Sequence, residues 1–156
     1  MRTVIVYYSK FGNTRRVAEA MAEVMGRAGE VRVVGIEQLT AGDWEGVDLV
    51  VVGTPTHAFS VPAAVRFVLR VQPQGILAGK SVAAFDTTVR AWPFRRLRAS
   101  PKLLRRLRRL GGTPVAEPET FFVAMHGAPA AGGTDLLEEG QIDHARQWAA
   151  KLLDPS

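Results

Sequence analysis

Apolar positions along this chain of 156 residues follow two patterns that alternate. Continuous β-branched runs, such as residues 47–54, are typical of strands buried on both faces, whereas Val17, Met21 and Val24 have the spacing of one helix face. The patterns predict strands near residues 2–8, 31–34, 47–54, 81–86 and 115–125, and helices over 14–28, 60–71, 101–110 and 142–153, with a helical turn in the loop 36–46. Strands that alternate with helices predict an α/β fold.

The order of these elements predicts how the sheet is wound. Each strand–helix–strand unit should cross over with the right hand, which gives a parallel sheet with helices on both faces. We expect a three-layer α/β/α sandwich with a five-stranded sheet in the order 2-1-3-4-5, as a single domain over residues 1–156. Strands 1 and 3 then flank the point where the winding direction changes, so the loops after them lie side by side, next to the loop after strand 4.

The first of these loops, residues 9–14, has the composition of a phosphate site. Gly12 lets the backbone approach an anion closely, while Ser9, Asn13 and Thr14 offer short polar side chains. The helix that follows adds unpaired N–H groups and the positive end of its dipole. We therefore expect a phosphorylated molecule to bind at residues 9–14.

These residues resemble the flavodoxin family, whose phosphate loop has the form [S/T]-x-[S/T]-G-x-T. The loop here has the hydroxyl of Ser9, Gly12 and Thr14, but Phe11 stands where the stricter pattern has a hydroxyl. Residues 53–56 read G-T-P-T, like the segment that lines the flavin ring in flavodoxins and in related FMN-dependent quinone reductases. The resemblance covers nearly the whole chain and implies the cofactor FMN.

The resemblance also implies which residues contact the flavin. Ser9, Asn13 and Thr14 would hold the phosphate, Thr54 and Thr56 would meet the ribityl chain, and backbone carbonyls near His57 and Ala58 would accept from N5–H of the reduced ring. Phe59 or His57 on one side, and Trp92 on the other, would flank the ring, although Trp92 is also read as an anchor for the basic segment around it. The cofactor-binding residues predicted in this way are Ser9, Lys10, Phe11, Gly12, Asn13, Thr14, Thr54, Pro55, Thr56, His57, Ala58, Phe59, Asp86, Thr87, Thr88 and Trp92.

The charge of the chain is unevenly distributed. Residues 90–109 hold nine basic residues and no acidic one, whereas the rest of the chain holds 11 basic and 15 acidic residues. Such a segment is read as a solvated surface, as a docking patch for an acidic redox partner or an anionic small molecule, or, less readily, as a nucleic-acid or membrane surface. Arg90, Arg95 and Arg96 within a Debye length of the flavin, roughly 8 Å, should stabilise the reduced anion and make its lowest potential less negative than in acidic flavodoxins.

Several other classes of function are disfavoured. The chain has no cysteine and no pair of histidines at ligand spacing, so we expect no metal site, and no side chain is predicted to be catalytic. Residues 75–81 nearly spell a phosphate-binding motif of nucleotide hydrolases, but they have three residues between the glycines and precede a strand. No apolar run reaches the roughly 20 residues of a membrane span, so we expect a cytoplasmic protein.

These observations favour an FMN-binding redox protein that carries electrons between partner proteins. One alternative is an FMN-dependent NAD(P)H:quinone oxidoreductase, which would oxidise NAD(P)H steadily in the presence of a quinone. The other is a cofactor-free interaction domain, in which the fold is a scaffold and the arginines are the functional groups.

Overall fold

The strands form one parallel sheet in the order β2-β1-β3-β4-β5, seen here in a computed structural model that describes residues 1–56, 60–90, 97–124 and 136–155. The strands are β1 (Arg2–Tyr7), β2 (Glu30–Gly35), β3 (Leu49–Pro55), β4 (Ser81–Val89), β5 (Thr113–Pro114) and β6 (Glu119–Val123). The helices of the described residues are α1 (Asn13–Met25), α2 (Ala63–Arg70), α3 (Ala99–Arg109) and α4 (Gln141–Leu153), with 3-10 turns at Ile36–Gln38 and Ala41–Trp44. The predicted fold class and strand order are confirmed.

The sheet has two covered faces with different cores, because successive strand residues point to opposite sides. On the first face, Val50 and Val52 pack with leucines of α2 and α3; we call this the α2/α3 face. On the second, Ile5 and Val51 pack with residues of α1 and α4; we call this the α1/α4 face. The β-branched runs of β1 and β3 are therefore buried on both sides, as their composition predicts.

The fifth position of the sheet is filled by two short strands. β5 pairs with Ser81 and Val82 at the start of β4, while β6 pairs with its second half, from Phe85 to Val89. The predicted strand over residues 115–125 begins only at Glu119, after Pro118, which has no N–H to give to the sheet.

Three boundaries differ from the sequence-based expectation. β4 continues three residues beyond 86, through Val89, because β6 lies beside that stretch. α2 begins at Ala63, three residues after the predicted start, with Pro62 before it. α3 begins at Ala99, two residues before Pro101, and its own N-cap residue provides no side-chain cap.

The core of the α1/α4 face is aromatic. Phe85, Phe121 and Trp148 meet edge to face, with ring centroids 5.7 Å apart for the two phenylalanines and 6.2 and 6.1 Å from each of them to the indole. Such pairs add to the stability that burial of the rings provides. The Phe85 ring lies directly over Gly53, where any Cβ would overlap it. Gly53 in the G-T-P-T segment is thus required by this packing.

Candidate functional site

The loop between β1 and α1 presents unpaired backbone donors at the start of a helix. Gly12 has a φ of 92°, a left-handed conformation that favours glycine, and occupies the N-cap position of α1. The N–H groups of Asn13 and Thr14, at the start of this 13-residue helix, make no hydrogen bond within the described part of the chain. An anion at this point would accept hydrogen bonds from these N–H groups and would be attracted by the positive end of the helix dipole.

Ser9 organises the same loop from inside. Its Oγ accepts hydrogen bonds from the N–H of Gly12 at 3.0 Å and from the N–H of Arg15 at 3.4 Å. Lys10 and Phe11 point outward, the Lys10 ammonium lies 5.5 Å from the Phe11 ring centroid, and 58% of Phe11 is exposed. Phe11 therefore occupies the rim of the loop rather than the fold's interior.

The side chains of Asn13 and Thr14 point into the protein. Asn13 Oδ1 accepts a hydrogen bond from the N–H of Leu136 at 3.0 Å, and the Thr14 hydroxyl lies 2.8 Å from that of Thr87 in a buried pair. In this arrangement the two side chains fix α1 against the neighbouring elements, while their backbone N–H groups remain available. Thr87, predicted to lie in a loop, is a residue of β4 that contacts the first loop directly.

The G-T-P-T segment lies beside this loop. The N–H of Tyr8 donates to the carbonyl of Gly53 at 3.0 Å. The loops that follow β1 and β3 therefore lie next to each other, as the strand order predicts. Thr54 is fully buried and its hydroxyl donates to the Pro55 carbonyl at 3.2 Å. Pro55 is half-buried at the end of β3, and His57, Ala58 and Phe59 lie outside the described residues.

Thr56 and Asp86 connect these loops to α3. The Thr56 hydroxyl donates to Asp86 Oδ2 at 2.9 Å and accepts from the N–H of Ala99 at 2.9 Å. Asp86 Oδ2 also accepts from the N–H of Ser100 at 3.1 Å. The first turn of α3 is therefore capped by two side chains from the ends of β3 and β4, in place of its own N-cap residue Arg98.

Asp86 is fully buried, and its Oδ1 makes no hydrogen bond to the residues that the structure describes. Burial raises the pKa of Asp86, and the nearby Thr120 side chain, the hydrogen bonds from Ser100 and Thr56, and the Arg98 charge offset only part of that effect. Thr120 faces Asp86 across the β4–β6 pair. Sequence reasoning did not identify Thr120, since the only available signal was the register between these two strands.

The basic segment is divided between described and undescribed residues. Trp92, Arg95 and Arg96 lie outside the described part of the chain, and Thr88 is half-buried in β4. The Arg90 guanidinium lies 3.8 Å from the Phe122 ring centroid and pairs with Glu138 at 3.1 Å. The charge of Arg90 is thus partly neutralised by Glu138.

These features suit the phosphate end of a flavin cofactor. A glycine at positive φ allows close approach, and two backbone N–H groups that make no hydrogen bond to the described residues provide donors, while the residues from Ser9 to Arg16 include no acid. A family profile described as a flavodoxin domain matches residues 4–98, which is more than half of the chain. The chain belongs to the flavodoxin family. Membership implies a flavin cofactor and a redox role.

Solved structures of flavodoxins share the fold over nearly the whole chain. Oxidised Flavodoxin 2 from Bacillus cereus is 20% identical, with a TM-score of 0.79 and 100% of both chains covered. Oxidised Flavodoxin 1 from the same organism is 21% identical, with a TM-score of 0.77 over 98% of this chain and 97% of that one. The flavodoxin, WrbA-like protein from Agrobacterium tumefaciens is 18% identical, with a TM-score of 0.72 over 97% and 94% of the two chains. No curated protein matches the chain.

In the described part of this flavodoxin-family chain, every helix is too short or too polar to cross a membrane.

Proposed function

We propose that this flavodoxin-family chain binds FMN and carries electrons between partner proteins in the cytoplasm, as a single domain. One observation carries the proposal: the donor-rich start of α1 lies directly beside the G-T-P-T segment, as a phosphate site beside a ring site requires. When bound, FMN supplies the redox chemistry, and the protein supplies position and electrostatics.

Different residues of the site are proposed to contact different parts of FMN. The N–H groups of Asn13 and Thr14 bind the phosphate, with Gly12 allowing its approach and Ser9 holding the loop in shape. Thr56 is assigned to the ribityl chain and the near edge of the ring, whereas Thr54, predicted for the same role, is fully buried and supports the segment by donating to the Pro55 carbonyl. The contacts assigned to His57, Ala58, Phe59 and Trp92 stay predictions of the family resemblance.

The partner is proposed to be acidic where it docks. Arg98 and the first turn of α3 lie next to Asp86 and Thr56, so a partner that meets this end of α3 also meets the loops of the site. Because Glu138 pairs with Arg90, the expected rise in the lowest flavin potential depends on Arg95 and Arg96. A redox titration that gave the same potential for the chain and for its Arg95→Ser/Arg96→Ser variant would contradict that expectation.

The first test is the visible absorption spectrum of the purified protein, before and after FMN is added and the excess removed. Retained flavin absorption is expected, and a colourless protein through which FMN washes would refute the proposal. Steady oxidation of NAD(P)H with a quinone would instead indicate the quinone oxidoreductase alternative.

A pair of glycine variants makes this test specific to the proposed site. Gly12→Val places a β-branched residue at a φ of 92° in the phosphate loop, and should weaken FMN binding at least about tenfold. The matched control is Gly75→Val, at a φ of 79° in a turn with open space around it. The control carries similar backbone strain and should retain FMN, so equal loss in both variants would refute the assignment of the loop.

A further inference from the structure

The middle of the chain is almost free of acidic residues. Between Asp48 and Glu117 there are twelve lysines and arginines and a single acid, Asp86. Asp86 is buried at the start of α3, where it caps the helix, so it neutralises none of the exposed arginines further along. The surface that α2 and α3 present to solvent is therefore positively charged, and this part of the sequence supplies no exposed acidic residue to balance the charge.

Four of these arginines converge where α2 and α3 end. Arg70, Arg106 and Arg109 line a cleft of about 250 Å³, whose apolar lining comes from Leu69 and Leu110. Arg66 lies one helical turn before Arg70, on the same side of α2. We call this feature the arginine cleft.

The arginines of the cleft have no acidic partner within the ranges that the structure describes. Arg106 shows the consequence most clearly: burial lowers the pKa of its guanidinium, and the nearby charges of Arg66, Arg109 and Arg70 lower it further. Like charges held together in this way repel one another, and a bound anion would relieve the repulsion.

Two glutamines hold the cleft in shape. Gln72 donates to the Val68 carbonyl at 3.0 Å and accepts from the indole N–H of Trp44 at 3.0 Å. Gln74 donates to the Arg109 carbonyl at 2.9 Å, which ties the end of α3 to the turn after α2. The glutamine side chains of the cleft are thus fixed by the protein, while its guanidinium groups are available to a ligand.

The arginine cleft and the candidate flavin site lie at opposite ends of the strands of the sheet. The N–H of Leu77 donates to the Leu110 carbonyl at 3.0 Å, so the end of α3 lies beside the residues that precede β4. The candidate flavin loops lie at the other end of β4, beyond Asp86, which is about 17 Å away along the strand. A partner that docked at the cleft would not meet the loops that the flavin site uses.

We propose that the arginine cleft binds a compact, soluble anion that carries two or more phosphate groups. Planar guanidinium groups match phosphate oxygens in pairs, and several of them around one cleft suit a ligand with several such groups. The volume is below the roughly 300–1,000 Å³ of ordinary small-molecule sites, which favours a small ligand over a drug-sized one. The proposal does not depend on FMN binding.

Isothermal titration with inorganic pyrophosphate, in magnesium-free buffer at low salt, tests this site. We expect saturable binding of one pyrophosphate per chain, and at least a tenfold weaker affinity in the Arg106→Gln/Arg109→Gln variant. The matched control is Arg2→Gln/Arg146→Gln, which removes the same charge from two arginines that lie outside both the cleft and the phosphate loop and have acidic partners. The control should change the affinity by less than about twofold.

Three results would overturn the proposal: no heat of binding in the unmodified chain, equal weakening in both double variants, or binding only to anionic phospholipid vesicles that pyrophosphate does not displace. The flavin absorption of each sample is recorded in the same experiment. Pyrophosphate binding that the Arg106→Gln/Arg109→Gln variant loses, in a protein that does not retain added FMN, would support the cleft and refute the proposed FMN function, so the two failures are distinguishable.

Discussion

The two covered faces of the sheet differ in the side chains of their cores and in the pairing of the charges on their surfaces. The α1/α4 face has an aromatic core of Phe85, Phe121 and Trp148, whereas the core under α2 and α3 consists mainly of valines and leucines. On the surface of the α1/α4 face, Arg15 pairs with Glu19 at 2.8 Å, and Arg146 pairs with Glu23 at 2.9 Å. The arginines of the cleft on the other face have no such partners among the described residues.

The difference shows that the core and the surface of a helix are specified separately. α3 has leucines on its buried side, as a helix that covers a sheet must, yet its exposed side carries only basic charge. Folding requires the leucines, whereas the arginines of the last turn of α3 gain only the attraction of the negative end of the helix dipole, which a single cation already provides. The proposed anion site would account for the further arginines, while the arginines of α1 and α4 are paired with acids of their own face.

Loss of an aromatic ring from the α1/α4 face should have the largest effect. Phe121→Ala removes a fully buried ring that contacts two other aromatic residues, so the free energy of unfolding should fall by about 3–5 kcal/mol. Urea denaturation followed by circular dichroism measures it. Phe67→Ala, where 59% of the ring is exposed on α2, makes the same chemical change and should cost less than about 0.5 kcal/mol. Similar losses in the two variants would show that the aromatic core is not what stabilises this face.

The contribution of Asp86 to the stability of the protein should depend on pH, because its carboxyl group is buried beside the first turn of α3. Burial raises the pKa of Asp86 in the folded protein above its ordinary value of about 4, so ionisation is easier in the unfolded chain. Stability is then lost as the pH rises from about 4 through the raised pKa. Asp86→Asn removes this term, so its stability relative to the unmodified chain should improve over that range, by about 1.4 kcal/mol for each unit of pKa shift.

Urea denaturation at a series of pH values between 3.5 and 8 tests the Asp86 prediction. Asp143→Asn, which removes an exposed carboxylate of α4, measures the general effect of losing one negative charge. A relative stability of Asp86→Asn that stayed constant with pH, or that followed the Asp143→Asn curve, would contradict the prediction.

Much of the fold could be predicted because it depends on residues close together in the sequence. The run at 49–52 is apolar at four consecutive positions, which is typical of a strand buried on both faces, and Gly12 precedes a clear helical pattern. Such signals indicate the alternation of strands and helices and the position of the phosphate loop, and the strand order is the one that suits this alternation. Pro118, before β6, was also visible in the sequence, but the register of β5 and β6 against β4 was not.

The connections within the site could not be predicted, since they join residues far apart in the chain. Thr56 caps α3 from 43 residues away, and Thr14 pairs with Thr87 across 73 residues. The sequence identified each of these side chains as polar and close to a loop, and assigned them to a ligand. Only the three-dimensional arrangement shows that their side chains also hold the protein together.

The smallest expected effects also distinguish the two faces most clearly. Removing one arginine from each face should change the stability of the protein in opposite directions. Arg106→Gln removes a charge that is repelled by Lys102, one turn earlier, and by three neighbouring arginines. At roughly 0.2–0.5 kcal/mol for each like-charge pair, these repulsions together exceed the roughly 0.3–1 kcal/mol that a cation in the last turn gains from the helix dipole, so the variant should be slightly more stable at low salt. Arg146→Gln removes two ion pairs from the α1/α4 face and should be slightly less stable. Urea midpoints at low and at 1 M salt measure both, and the differences should shrink at high salt, where the Debye length is roughly 3 Å. If Arg106→Gln were destabilising at low salt, the cleft arginines would contribute to folding, and the division of roles between the faces would fail.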